Sequence, residues 1–190
     1  MIDFGRETCG NLEAAAQREW LATNGTGSYA SGTVAGLLTR RYHGILIAAL
    51  KPPVERTLLV AKLEETAEYD GGSYALSCNR WADGRVEPEG YRNIERFHLE
   101  GATPVWTYAC ADALLEKRIW MLPGANTTCI RYLYLRPSGA YRPLALSIRP
   151  LVNFRDHHGF TRSGELDLGV QAVEGGFRIT PNVRPGSEPA

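Results

Sequence analysis

Neither sign of charge dominates this chain. Its 21 Lys and Arg balance 21 Asp and Glu, which leaves no net field to hold a polyanion or an anionic membrane surface. Nucleic acid and membranes are therefore not expected as partners. Long hydrophobic runs are also missing. The opening MIDFGRETCG mixes Asp3, Arg6 and Glu7 with apolar residues, and no later stretch is long enough to span a bilayer. A cytoplasmic location is expected. Cysteine is sparse: Cys9, Cys78, Cys110 and Cys129 are scattered, without the spacing of a zinc site or the density of a disulfide scaffold, and read as reduced, mostly buried thiols.

Helical signals are scarce as well. NLEAAAQ offers Asn11 as a cap, Glu13 in the first turn and three alanines, enough for one short N-terminal helix. Residues 23–36 are crowded with Gly, Ser, Thr and Asn and poor in large apolar side chains, which predicts a shaped loop or a set of turns. No repeat of fixed period is present.

What the chain does have, from Tyr42 onward, is apolar and β-branched segments separated by turn-like clusters about every ten residues. YHGILIAAL reads as a strand buried on both faces, and TLLVAKLEE follows Pro52 and Pro53. SYALSCN comes after a hairpin-like Asp70 to Gly72, and RNIERFHL, PVWTYACA, ALLEKRIWML and NTTCIRYLYL follow in turn. In PLALSIRP, Leu144, Leu146 and Ile148 alternate with Ala145, Ser147 and Arg149. LDLGVQAV and GGFRITP predict a last hairpin around Glu174 to Gly176, with Leu166, Leu168, Val170 and Ala172 facing one way. Roughly ten strands are too many for one flat sheet. The expected fold is mainly β, an antiparallel two-sheet β-sandwich of supersandwich type with one short helix. Residues 1–180 would form a single domain, and the polar, Pro-rich 181–190 the start of a linker.

The segment Arg18 to Leu50 stands apart. Gly25, Gly27, Gly32, Gly36 and Gly44 permit unusual backbone angles or close approach, while Asn24, Thr26, Ser28, Ser31 and Thr33 supply small donors and acceptors. Tyr29 lies among them, and Arg40, Arg41, Tyr42 and His43 precede an apolar strand. Such a loop can meet a polyhydroxylated ligand or the polar wall of another domain's active site. It is not a phosphate loop, because no Gly-Lys-Ser or Gly-Lys-Thr follows. Nor is it a nucleophile elbow, because neither Ser28 nor Ser31 has glycines at the required offsets.

The pattern EWLATNGTGSYASGTVAG followed by TRRYHGILIAAL resembles the opening of bacterial and archaeal-type glycogen debranching enzymes, the amylo-α-1,6-glucosidase family. LLVAKLEET, LEKRIWMLPGANTTCIRYLYL and LALSIRPLVNFRDHHG continue the likeness in order, over about Glu19 to His158. Where that family usually reads Gly-Gly-Tyr, this chain has Gly27, Ser28 and Tyr29, which puts the local turn geometry in question. The resemblance implies a following (α/α)6 catalytic barrel that hydrolyses α-1,6 branch points and carries the required carboxyl pair. This chain would then hold no catalytic residue, and its partners would be its own barrel and an α-glucan such as glycogen or limit dextrin, with oligomerisation possible. An autonomous α-glucan-binding module and a purely structural or oligomerisation scaffold are the alternatives.

Within that frame, Asn24 to Thr33 and Arg40 to His43 are substrate or interface candidates, set against the simpler reading that they pack their own sheet. Strand alternation would send Arg41 and Tyr42 to opposite faces. Glu64 and Glu65, adjacent on a strand, point apart and cannot act as one acid/base pair, though one can pair with an arginine. Asp156, His157 and His158, with His98 as a distant fourth, lack metal-ligand spacing. Neither a metal nor a cofactor is expected. Trp81, Trp106, Trp120, Tyr132 and Tyr134 are either core aromatics or a sugar-stacking platform.

Overall fold

The computed structural model describes residues 2–135, 142–162 and 164–182. It is mainly β and antiparallel, as the alternating segments predict. No helix among the described residues is long and apolar enough to cross a membrane, which says nothing of β-barrels.

The N-terminal helix is divided in two. After β1 (Asp3–Gly5), α1 (Arg6–Cys9) ends where the Gly10 amide donates to the Arg6 carbonyl, and α2 (Leu12–Ala16) begins again from Asn11. Asn11 is extended, and its side chain accepts from the Ala14 amide at 3.0 Å, so the expected cap is present but starts only the second piece.

The remaining described elements are strands, apart from one 3₁₀ turn at Gly90–Asn93. They run β2 (Glu19–Thr23), β3 (Tyr29–Thr33), β4 (Gly44–Lys51), β5 (Val54–Tyr69), β6 (Gly72–Ala75), β7 (Cys78–Arg80), β8 (Val86–Glu89) and β9 (Ile94–Glu100). β10 (Thr103–Cys110), β11 (Ala113–Met121), β12 (Thr128–Leu135), β13 (Leu144–Asp156), β14 (Leu168–Val173) and β15 (Gly176–Pro181) complete the series. The order β1-β9-β10-β11-β12 makes one sheet. β13-β5-β4-β3-β2, with β6 beside β5, makes the other. β7-β8 and β14-β15 are separate two-stranded ribbons.

There are thus more strands than the ten expected, and one of the extra strands falls in a stretch read as loop. Residues 23–36 contain β3, which pairs with β2 from Thr23↔Tyr29 to Glu19↔Thr33. Small residues form a strand here because a large one opposite needs the room. Trp20 faces Gly32, and a Cβ at Gly32 would come within 3.3 Å of the indole. Both hairpins close as their turn residues predict. Asp70 and Gly71 both have positive φ in the two-residue loop that closes Tyr69 on Gly72. Gly175 does the same for the predicted β14–β15 pair. In β13, at the border of its sheet, Leu144 and Leu146 are half-buried, whereas Ile148 is exposed. The linker expected over 181–190 lies, beyond Asn182, outside the described residues; Pro181 still belongs to β15.

Between the two large sheets Trp20 meets Trp106 edge to face at 5.4 Å, and Trp106 meets Phe97 at 5.0 Å. Both indole N–H groups are bonded, Trp20 to the Thr33 carbonyl and Trp106 to the Val34 carbonyl. Cys9, Cys78 and Cys110 are buried free thiols, and Cys129 is half-buried.

One inward row carries a charge. Ala113, Leu115, Ile119 and Met121 of β11 face the core, and so does Lys117 between them. From the opposite sheet Glu65, only 2% exposed, reaches Lys117 Nζ at 2.5 Å and also accepts from the Tyr132 hydroxyl. Burial and the Glu65 carboxylate raise the Tyr132 phenol well above its usual range. Neighbouring Glu64 points the other way and pairs with Arg149, as alternation requires.

Glu65→Ala removes the carboxylate and leaves Lys117 charged and unpaired in the core. It is expected to cost about 3–5 kcal/mol, read as a lower urea midpoint. A loss below about 1 kcal/mol would contradict the buried pair.

Lys62 is nearly buried beside β7, where it donates to the Cys78 carbonyl and to Asn79 Oδ1 at 2.6 Å. Burial lowers its pKa from 10.5 to about 8. Between those values the unfolded chain holds a proton that the folded chain has released, so this group's contribution to stability rises with pH. The stability difference between wild type and Lys62→Met should move in favour of wild type from pH 7 to pH 10. A flat difference would show that Lys62 titrates normally.

Candidate functional site

The loop between β2 and β3 is a bonded staple. Asn24 Oδ1 accepts from the amides of Thr26 at 2.9 Å and Ser28 at 3.1 Å, while Asn24 Nδ2 donates to the Ala125 carbonyl at 3.0 Å. The Gly124 amide donates to the Asn24 carbonyl. The Ser28 hydroxyl donates to Asn126 Oδ1 and accepts from the Ala49 amide at 2.8 Å, and Asn126 Nδ2 returns to the Ala49 carbonyl at 3.1 Å. Asn24 and Ser28 are 3% and 1% exposed. These two candidates therefore join the loop to the turn before β12, across the two sheets, and do not face solvent.

Gly27 has φ +105°, and a Cβ there would lie 2.6 Å from the Pro53 carbonyl oxygen. Only glycine fits that approach. Ser28 takes ordinary negative-φ backbone, so the departure from Gly-Gly-Tyr costs no strain and adds two hydrogen bonds. Thr33 is buried as well, its hydroxyl donating to the Leu37 carbonyl at 2.8 Å.

The outward part of this loop is smaller than the sequence pattern suggests. Gly25 is exposed; Thr26, Gly27 and Tyr29 are partly so. With Leu21, Thr23 and Arg56, the Gly25, Gly27 and Tyr29 positions line an open groove of about 480 Å³. Arg56 is held in place by donating Nε to the Gly27 carbonyl at 2.8 Å.

Arg40 to His43 form a turn before β4, not the first residues of the strand, so strand alternation does not separate Arg41 from Tyr42. The four residues divide into two pairs instead. Arg40 donates to Glu19 at 2.6 Å, and buried His43 lies 3.4 Å from the same carboxylate. The Thr39 amide donates to His43 Nδ1, which leaves the proton on Nε2. Nε2 makes no well-formed hydrogen bond, and burial outweighs the Glu19 charge, lowering the pKa below the usual histidine range. His43 is therefore buried, with its neutral form favoured.

Arg41 and Tyr42 turn together toward the segment after β13. Arg41 donates to the His158 carbonyl at 2.8 Å and stacks over Phe160 at 4.4 Å. The Tyr42 hydroxyl is 3.1 Å from His158 Nδ1, and the Tyr42 ring packs on both His157 and His158. Arg155 braces this segment through the carbonyls of Asp156, His157 and Gly159, and donates to the Arg41 carbonyl at 2.7 Å. The Asp156 to His158 run thus serves to hold Tyr42 and Arg41. Among the described residues no group of three His, Cys, Asp or Glu could hold a metal ion, and His98 lies on the other sheet. Burial and His158 lower the His157 pKa.

The two exposed portions adjoin: Tyr29, Ile47, Leu58 and Arg155 are successive register partners in one row across β3, β4, β5 and β13. Burial raises the Tyr29 pKa, and Arg56, Tyr42 and Arg155 all act on its phenol. One end of the sandwich therefore presents two tyrosines and three guanidinium groups. Asn126, Arg155 and Phe160 belong to this assembly although no periodic pattern marks them; their partners are more than 70 residues away.

Asn24→Ala strands the Ser28 amide and the Ala125 carbonyl and is expected to cost about 2–3 kcal/mol by chemical denaturation. Arg41→Ala, at the surface, should cost less than about 1 kcal/mol. Equal losses would contradict the division between staple and exposed end.

No curated protein and no solved structure matches the chain. The family model described as glycogen debranching enzyme N terminal matches residues 18–186, which takes in the loop, both large sheets apart from β1, and the last hairpin. The chain belongs to that family of glycogen debranching enzyme N-terminal domains.

Proposed function

We propose that this chain is the non-catalytic N-terminal domain of an enzyme that hydrolyses α-1,6 branch points in glycogen. Residues 1–180 act as one domain, followed by a linker to an (α/α)6 catalytic barrel, in a cytoplasmic protein. The domain packs on the barrel, and the end bearing Tyr29, Arg41, Tyr42 and Arg56 helps to shape the substrate site.

The observation that carries this reading is the family match over residues 18–186, the very span that builds and braces that end. The chemistry agrees with it. Tyr42 is 40% exposed, yet its hydroxyl and ring are fixed by His157 and His158. A side chain so pre-ordered loses little entropy when it meets a sugar or a neighbouring domain. Glu64 and Glu65 lie on opposite faces, one paired with Arg149 and the other with Lys117, so that pair is fully engaged within the fold.

In the chain joined to its catalytic domain, Tyr29→Ala and Tyr42→Ala should each lower kcat/KM for glucose release from branched limit dextrin by about tenfold, with little change in melting temperature. The 190-residue chain alone should release no glucose. Unchanged kcat/KM in both variants, or release by the chain alone at the rate of the whole enzyme, would overturn the proposal.

A further inference from the structure

Of the five aromatic residues that could stack on a sugar, burial separates one. Trp106 is in the core, and Trp120, Tyr132 and Tyr134 are at least half-buried. Trp81 is 53% exposed. It follows β7 at the tip of the small β7–β8 ribbon, which lies over the outer face of β5.

Exposure has not left this indole loose. Its ring N–H donates to the Glu87 carbonyl at 2.9 Å, and its backbone amide and carbonyl are bonded to Arg85 and Gly84. Two adjoining grooves, of about 540 and 270 Å³, share Trp81, Glu64 and Asn79 in their walls. The larger falls within the range of small-molecule sites, about 300–1,000 Å³, and the smaller extends it.

The polar groups in these walls decide what would fit. Glu64 is bound by Arg149 and by Asn79, and Glu87 by Arg85. Each carboxylate is paired with an arginine, so the larger groove offers no bare carboxylate to a cation; the smaller groove adds Lys62 and Arg80 to its walls. What the larger groove offers are oriented donors and acceptors: the rest of the Arg149 fork, the Asn79 amide, and the hydroxyls of Thr66 and Ser147. A fixed flat apolar surface beside hydroxyls, an amide and a guanidinium already paired with a carboxylate matches a pyranose ring, which has one face of C–H bonds and a rim of hydroxyls.

We infer that the Trp81 groove is a surface subsite for a linear α-glucan chain, with a sugar ring stacked on the indole and its hydroxyls bonded by Arg149 and Asn79. The identity of the sugar rests on the function proposed above; the site itself is separate from the Tyr29–Tyr42 end. Glu64 is eight residues along β5 from Arg56, about 25 Å of strand. The subsite therefore holds glucan away from the place where that end meets substrate.

The test is titration of the chain with maltoheptaose, followed by calorimetry and tryptophan fluorescence. Binding near 1 mM is expected, with protection of one indole from N-bromosuccinimide. Trp81→Ala should weaken binding at least tenfold, Trp81→Phe should retain part of it, and Arg149→Ala, at an exposed side chain, should weaken it severalfold without unfolding. In the enzyme with its catalytic domain, Trp81→Ala should raise KM on glycogen and leave kcat/KM on a short branched oligosaccharide unchanged. A wild-type chain that gives no heat at 10 mM maltoheptaose, or equal affinity in all three variants, would overturn the subsite. So would a Trp81 that is shielded from acrylamide in the whole enzyme without sugar, which would make the groove a contact between domains. Failure of the Tyr42 substitutions to affect activity would instead count against the function proposed for the other end.

Discussion

The fold turns on the space above Gly32. Trp20 lies flat against the next strand at Gly32, where a Cβ would press on the indole at 3.3 Å, closer than ordinary contact. With the indole settled there, its edge meets Trp106 from the facing sheet, and the two ring N–H groups bond the successive carbonyls of Thr33 and Val34. One close approach thus joins the sheets and fixes where β3 ends. The loop that precedes β3 and the turn that follows it inherit their positions from this contact.

The buried pair of Glu65 and Lys117 adds a constraint of a different kind. Apolar rows can slide past one another at modest cost, but two charges that find each other in one register alone cannot. A shift of one residue in β5 or β11 would send a charge to the outside and leave its partner in the core. Tyr132, donating to the same carboxylate, ties the neighbouring strand β12 to that register. The exposed pairs, such as Arg6 with Glu95 or Arg96 with Asp3, decorate the surface and contribute little by comparison.

These two constraints leave the outside of the sandwich with two unlike regions. At one end, beside Tyr29, the side chains of Arg41, Tyr42 and Arg56 are held by carbonyls and a histidine contributed from distant parts of the chain. On the outer face of β5, a lone exposed indole lies beside paired charges. The first has guanidinium groups with no carboxylate partner among the described residues, and suits a polar or acidic neighbour. The second has both of its carboxylates paired with arginines, and suits an uncharged polyol. Both are rigid because their hydrogen bonds within the domain are already made.

Local chemistry was enough to read the class of fold, the Asn11 cap, the two-residue turns at Asp70 and Gly175, and the opposed directions of Glu64 and Glu65, because each depends on neighbours a few residues apart. The ordered segments from Glu19 to His158 were also enough to mark the family. Tertiary structure alone decided the rest. It made a strand of the glycine-rich stretch, since Trp20 required it. It buried Asn24, Ser28, Thr33 and His43 while leaving Tyr29, Arg41 and Tyr42 partly open. It placed Lys117 in an apolar row opposite Glu65, and it chose Trp81 alone among five aromatics for exposure. Burial and partnership are properties of pairs of residues far apart in sequence, and no local periodicity carries them.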